Sequence, residues 1–354
     1  MYKRELEAIK RAGRLRERKI FSKDLKDFAS NDYLGLAHEP QLLERAYERV
    51  RGYGINAAKA SQLINGYTPL HQQFEKMLCE ANGFAAGITV GSGFMANLAV
   101  IEALVRKGDV LFIDEEFHAS GNLAAKLLDR VITFAHNDPK HLESLLETTT
   151  FNRALVAVEG IYSMSGDLLN PEIVEVADRY GALLLVDEAH SSGVVGERLL
   201  GIFDHFGIAP KPTHIKMGTL GKAYGSYGAY ILSSQEIVTF LENRAKSIIY
   251  TTALSLMDVA LAQEGFIQIQ EHLDSFKEEI AKRRAAVTSR GLQMDGLILD
   301  IPKKDVLKTQ ERLLQKGYLV GAIRPPTVKE PMIRIIARIG ESLEDFEWLL
   351  GEVV

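Results

Sequence analysis

A single cysteine, Cys79, excludes an internal disulfide in this chain of 354 residues. It falls in the helical pattern His71-Gln72-Gln73-Phe74-Glu75-Lys76-Met77-Leu78-Cys79 and is expected to be a small core residue, which fits a reducing compartment. No apolar run approaches the ~18 residues needed to span a bilayer. The opening Met1-Tyr2-Lys3-Arg4-Glu5-Leu6 builds no apolar signal core, so the expectation is a soluble, cytoplasmic protein. Charge of one sign is also missing. The 42 Lys or Arg against 47 Asp or Glu leave a net charge of −5, which argues against a nucleic-acid binder. There is no internal repeat and no low-complexity stretch, and no metal site is expected. A nucleotide phosphate loop is absent too: the only Gly-Lys pair, Gly221-Lys222, precedes Ala223, and Lys216 stands where the first glycine belongs.

What is present reads as a folded α/β chain. At 46% hydrophobic and 25% charged residues, it has the material for a large core and two packed units. From about residue 40, helical patterns (41–51, 70–81, 95–106) alternate with short apolar runs. Val110–Asp114, Ala154–Glu159 and Ala182–Asp187 are nearly continuously apolar, as strands buried on both faces of a parallel sheet should be. After residue 266 the pattern changes to a charged helical segment over 271–290. Strand candidates follow at 297–301 and 332–336, with helices at 304–316 and 342–353, which suggests a smaller α+β unit. Residues 1–26 hold ten Lys or Arg and four Asp or Glu. That basic arm is either a solvated face or a contact for an acidic partner or an anionic substrate.

Two residues stand out against this frame. Asp187 closes an apolar strand, and Lys222 lies in the glycine-flanked loop Thr219-Leu220-Gly221-Lys222-Ala223-Tyr224-Gly225. A lysine there can approach a flat aldehyde cofactor and form a Schiff base, while a strand-end aspartate can pair with a pyridinium nitrogen. Taken singly, each has an ordinary reading as a surface lysine or a structural carboxylate. Asp187-Glu188-Ala189-His190 also resembles the magnesium box of a helicase-type ATPase, a reading that fails without its phosphate loop. Gly91-Ser92-Gly93-Phe94-Met95-Ala96-Asn97 opens a helix whose free N–H groups suit a phosphate. His118, Ser163 and Thr219 all sit near strand ends, which points to one shared pocket. Arg334 interrupts an apolar run and calls for a carboxylate, either internal or a substrate's.

With these stretches assembled, the chain resembles the α-oxoamine synthases, pyridoxal phosphate (PLP) enzymes of the aspartate aminotransferase fold type, from about Arg16 to the C-terminus. The resemblance rests on Ser30-Asn31-Asp32-Tyr33-Leu34-Gly35-Leu36, Asn65-Gly66-Tyr67 with His71, and Phe117-His118-Ala119-Ser120. It rests further on Phe134-Ala135-His136-Asn137-Asp138, Glu159-Gly160-Ile161-Tyr162-Ser163-Met164, the Asp187 and Lys222 motifs, and Ala322-Ile323-Arg324-Pro325-Pro326-Thr327-Val328. It implies an α/β fold of type I: an arm (1–34), a large domain (35–266) with a mostly parallel seven-stranded sheet flanked by helices, and a small α+β domain (267–354). It implies that Lys222, His118 and Asp187 are catalytic, with Lys222 bonded to PLP, Asp187 on the pyridine nitrogen and His118 stacked on the ring. Ser163 and His190 would meet the ring oxygen and its surroundings. Gly93, Phe94 and Thr219 would hold the phosphate, and Thr251 or Thr252 would reach that phosphate from the second subunit of a homodimer. Arg334, with Asn31 nearby, would take an amino-acid carboxylate, and Arg16, His118 and Thr327 would contact substrate. The implied reaction joins L-alanine to a pimeloyl thioester, carried on coenzyme A or acyl carrier protein, with loss of carbon dioxide.

Two stretches depart from the family pattern. Ala57-Ala58-Lys59-Ala60-Ser61-Gln62 stands where a glycine-rich Gly-Ser-Arg sequence is usual, and Ile335-Ile336-Ala337-Arg338 replaces a threonine-rich run. Both are expected to lie on the substrate side. They leave room for a sibling enzyme that uses glycine or serine with another acyl-coenzyme A, against which Arg324-Pro325-Pro326-Thr327 speaks. A catalytically silent subunit of the same fold should lack the lysine, and Lys222 is present.

Overall fold

Continuous apolar runs in the sequence become the centre of a large sheet. The computed structural model describes residues 1–325 and 327–354; Pro326, within the Arg-Pro-Pro-Thr motif, lies outside the described residues. The strands, in chain order, are β1 (Lys26–Phe28), β2 (Ala86–Val90), β3 (Val110–Asp114), β4 (Val131–Phe134), β5 (Ala154–Glu159), β6 (Leu183–Asp187), β7 (His214–Thr219), β8 (Ala229–Ser233), β9 (Ile298–Pro302), β10 (Tyr318–Ile323) and β11 (Met332–Ile336). Seven of them form one sheet in the order β2-β8-β7-β6-β5-β3-β4. Its β4-β3-β5-β6-β7 run is parallel, and β8 is antiparallel to both its neighbours. This is the mostly parallel seven-stranded sheet expected for the fold type.

Burial explains the run lengths. Every residue of β3 and β5 is buried, because helices cover both faces. The helix Gly93–Leu104 lies in the apolar layer on one face, with Ala96, Ala99, Val100 and Ala103 all fully buried. Small residues there let the helix come close to the sheet. The layer on the other face includes Phe74, Phe112, Tyr162 and Tyr230.

A second, four-stranded sheet has the order β1-β10-β11-β9. It draws on both ends of the chain: Lys26–Phe28 pairs in parallel with Tyr318–Val320. The expected boundary at residue 266 falls inside the helix Leu256–Glu271, and the segment expected over 271–290 forms the helix Leu273–Thr288. Among the described residues, no helix is long and apolar enough to cross a membrane.

Candidate active site

Parallel pairing aligns the strand ends that matter. Glu159 at the end of β5 is in register with Asp187 at the end of β6, and Thr219 ends β7 beside them. A cavity of about 200 Å³ opens at this carboxyl edge, lined by Gly93, Phe94, Asn97, His118, Glu159, Asp187, Ala189, His190, Met217, Thr219 and Lys222. Open α/β sheets bind ligands at this edge. Seven residues expected from the sequence thus meet in one pocket: Gly93, Phe94, His118, Asp187, His190, Thr219 and Lys222.

Each is held by its neighbours. Asp187 accepts a hydrogen bond from Asn97 Nδ2 at 2.7 Å and from the Ala189 N–H at 3.0 Å. The same Asn97 amide donates to Ser120 Oγ at 2.9 Å, and Ser120 Oγ lies 2.7 Å from His118 Nδ1. Asn97 and Ser120 therefore tie the carboxylate to the histidine, a role the sequence reading missed. The available signal was spacing, since Asn97 follows Gly93 by one helical turn. Gly93 has no room for a side chain, because a Cβ there would stand 2.7 Å from Thr219 Cγ2. In the lysine loop Gly225 has φ +63°, and a Cβ would clash with the backbone of Leu36.

The electrostatics favour neutral groups around one amine. Burial lowers the pKa of Lys222, while Asp187 and Glu159 pull it back up. Burial also lowers His118 and holds His190 well below its usual range, so both rings are neutral at neutral pH. Glu159, which the sequence reading did not single out although it ends a strand as Asp187 does, is raised well above the carboxylate range by burial and by Asp187. His190 Nε2 is 3.0 Å from Lys222 Nζ, and its Nδ1 is 2.5 Å from the Tyr33 hydroxyl.

The remaining expected residues lie outside the lining. Ser163 follows Glu159 closely, and its N–H donates to Glu159 Oε2 at 2.9 Å. Arg334 finds an internal carboxylate: Nε and Nη2 grip Asp300 at 2.8 and 2.6 Å, Nη1 donates to the Ser163 carbonyl and Nη2 to the Met164 carbonyl. Arg16 Nη2 lies 3.4 Å from Thr327 Oγ1, so these two meet at the exposed surface. Asn31 is half-buried, Thr251 is half-buried and Thr252 is exposed. Both departures from the family pattern make internal contacts. Gln62 donates to the Thr89 carbonyl at 2.5 Å, and Arg338 is buried in contact with Asp27 and Asp32.

The pocket fits PLP on its own chemistry. Asn97 Oδ1, an acceptor, and Glu159 Oε1 are buried without hydrogen-bond partners among the described residues. Gly93 and Phe94 line the cavity at the start of the helix Gly93–Leu104, where backbone N–H groups lack intrahelical acceptors and suit a phosphate. An amine of lowered pKa shares the cavity with a carboxylate. Comparison with known proteins agrees. The profile of the aminotransferase class I and II family matches residues 23–342. An 8-amino-7-oxononanoate synthase of Helicobacter pylori strain J99 is 41% identical, covering 100% of this chain and 97% of that protein. Among solved structures, the Sphingomonas wittichii serine palmitoyltransferase superposes with TM-score 0.89 at 25% identity (99% and 94% of the two chains), and the Francisella tularensis 8-amino-7-oxononanoate synthase with TM-score 0.75 at 26% (94% and 97%). The chain belongs to the class I and II aminotransferase family, the PLP-dependent enzymes of fold type I.

Proposed function

We propose that this enzyme condenses L-alanine with a pimeloyl thioester and releases carbon dioxide, giving 8-amino-7-oxononanoate on the route to biotin. One observation carries the reading: the Lys222 amine and the Asp187 carboxylate share a single cavity, in a chain 41% identical to a synthase of that name. PLP, when bound, supplies an electron sink for a carbanion at the amino-acid α-carbon.

The chain's own residues do the rest. Lys222 would anchor the cofactor, and its amine, of lowered pKa, would take the α-proton of alanine. Asp187, oriented by Asn97, would keep a proton on the ring nitrogen. His118 would contact the ring, Thr219 and the Gly93-Phe94 turn would hold the phosphate, and His190 and Ser163 would serve the ring oxygen. Arg334, with Asn31, orients the alanine carboxylate, and Arg16 and Thr327 meet the acyl substrate. The carrier thiol departs when the new carbon–carbon bond forms, and the carboxylate then leaves as carbon dioxide.

A homodimer is part of the reading. Leu63, Ile64, Phe94, Tyr227 and Tyr250 are exposed large hydrophobics, a set that supports a covered face in the assembly. Thr251 and Thr252 would then serve the neighbouring subunit's phosphate. The exposed helix Lys3–Arg11 in the basic arm favours an acidic carrier, an acyl carrier protein, over coenzyme A. A substrate panel tests the assignment. L-alanine with a pimeloyl thioester should turn over faster than glycine or serine with acetyl-, succinyl- or palmitoyl-coenzyme A; the reverse order would assign a sibling reaction.

A further inference from the structure

Tyr33 is fully buried, and its ring packs edge-on to His190, with centroids 6.0 Å apart and planes at 70°. Among the described residues its hydroxyl has one hydrogen-bond partner, His190 Nδ1 at 2.5 Å. The other nitrogen of that ring, Nε2, lies 3.0 Å from Lys222 Nζ. Phenol, imidazole and amine therefore form one chain of three groups.

Hydrogen-bond satisfaction fixes the direction of that chain. A neutral imidazole carries one N–H and one bare nitrogen. If the proton sat on Nδ1, that N–H and the Tyr33 O–H would compete for the same contact. The phenol proton would then be buried without an acceptor, an arrangement proteins avoid. If the proton sits on Nε2, the Tyr33 hydroxyl donates to Nδ1, and Nε2–H donates to the lone pair of the Lys222 amine. Each contact in the line then joins one donor to one acceptor, and the amine is in its unprotonated form. We propose that Tyr33 is a positioning residue that locks His190 in the Nε2–H tautomer, so that the ring offers a donor, and not an acceptor, to the Lys222 amine.

The surroundings agree with a neutral ring. Burial and the positive charge of the Arg334 guanidinium oppose a second proton on His190, and Glu159 stands near Tyr33. The tyrosine is itself fixed from the small sheet's side. The Ile339 N–H donates to the Tyr33 carbonyl at 2.8 Å. When the lysine nitrogen is engaged by cofactor, the same Nε2–H stays available to an oxygen acceptor in the pocket.

The catalytic consequence rests on the role of Lys222 proposed above, while the tautomer is a property of this chain alone. Nitrogen-15 NMR of histidine-labelled protein without cofactor reads it directly, with His190→Gln identifying the signal. The proton is expected on Nε2 in the wild type and in part on Nδ1 in Tyr33→Phe. A wild-type proton on Nδ1 overturns the proposal, and this spectrum decides even if Tyr33→Phe does not fold. A double-mutant cycle on the PLP-loaded enzyme, run with whichever amino acid turns over, supplies the second arm. Tyr33→Phe should lower kcat roughly five- to tenfold, with KM little changed, when His190 is present. In a His190→Gln background it should cost less than about twofold. An equal loss in both backgrounds would make Tyr33 a packing residue only.

Discussion

Arg334 shows what one side chain can be asked to do. Its position inside an apolar strand announced a carboxylate partner, and that partner is Asp300, directly across the β9–β11 pairing. The sequence could not say so, because the two residues are brought together only by strand register. Asp300 takes Nε–H and one Nη2–H, and the carbonyls of Ser163 and Met164 take one more from each terminal nitrogen. Among the described residues, one Nη1–H of the five guanidinium donors has no acceptor, and it is the donor that the proposed contact with a substrate carboxylate would use. Asp300 thus aims the arginine. Replacing it, Asp300→Ala, frees the fork to rotate and is expected to raise KM for the amino acid roughly tenfold while lowering kcat less. Steady-state kinetics at saturating thioester would show it; an unchanged KM would leave Arg334 without this role.

Strands were legible where burial is two-sided and illegible where a polar group intrudes. Val110–Asp114, Ala154–Glu159 and Met332–Ile336 have the bounds read from their apolar runs. The strand His214–Thr219 escaped notice because it carries Lys216, which is fully buried, reaches Asn82 Oδ1 at 2.8 Å and faces Glu188 at 3.6 Å. Val131–Phe134 sits at the sheet edge, half exposed, and at 4 residues is too short a run to stand out. Nor did the sequence reveal how elements are joined, as His136 illustrates. It follows β4, lies 3.0 Å from Asp114 at the end of β3 and 3.1 Å from Asp167 in the loop after β5, and packs against Tyr162. Burial alone would lower its pKa, but the hydrogen bonds to Asp114 and Asp167 outweigh that and raise it from 6.5 to about 10. A histidine raised in the folded state stabilises fully below its unfolded pKa and loses that contribution as pH rises through the folded one. His136→Gln should therefore destabilise the protein by about 2 kcal/mol near pH 6. The gap from wild type should close as pH rises from 6.5 to about 10. Urea melts across that range would show the convergence, and a constant gap would mean that His136 acts by packing.

At the scale of the molecule, arginines at and just beyond β11 tie the small sheet to the loop after β5 and to the N-terminal segment. Arg334 reaches the loop after β5, and Arg338, just beyond β11, is buried with Nη1 3.0 Å from Asp27 and Nη2 2.5 Å from Asp32, its carbonyl held by Arg283 Nε at 3.1 Å. Asp32 directly precedes Tyr33, so this ion pair fixes the segment that delivers the tyrosine to His190. Within the Ile335-Ile336-Ala337-Arg338 departure, Arg338 thus secures the path of the N-terminal segment. Removing one member of a buried pair leaves the other charge stranded, which costs about 3–5 kcal/mol, whereas removing both costs far less. Arg338→Met is therefore expected to destabilise strongly in denaturant melts. Adding Asp32→Asn should recover a large part of that loss, since the amide needs no counter-charge. Activity should not return in step, because the double variant regains stability without regaining the anchor for Tyr33. Stability and kcat recovering together would show that the pair matters only for folding, and failure of the second change to restore stability would show that Asp27 is the principal partner of Arg338.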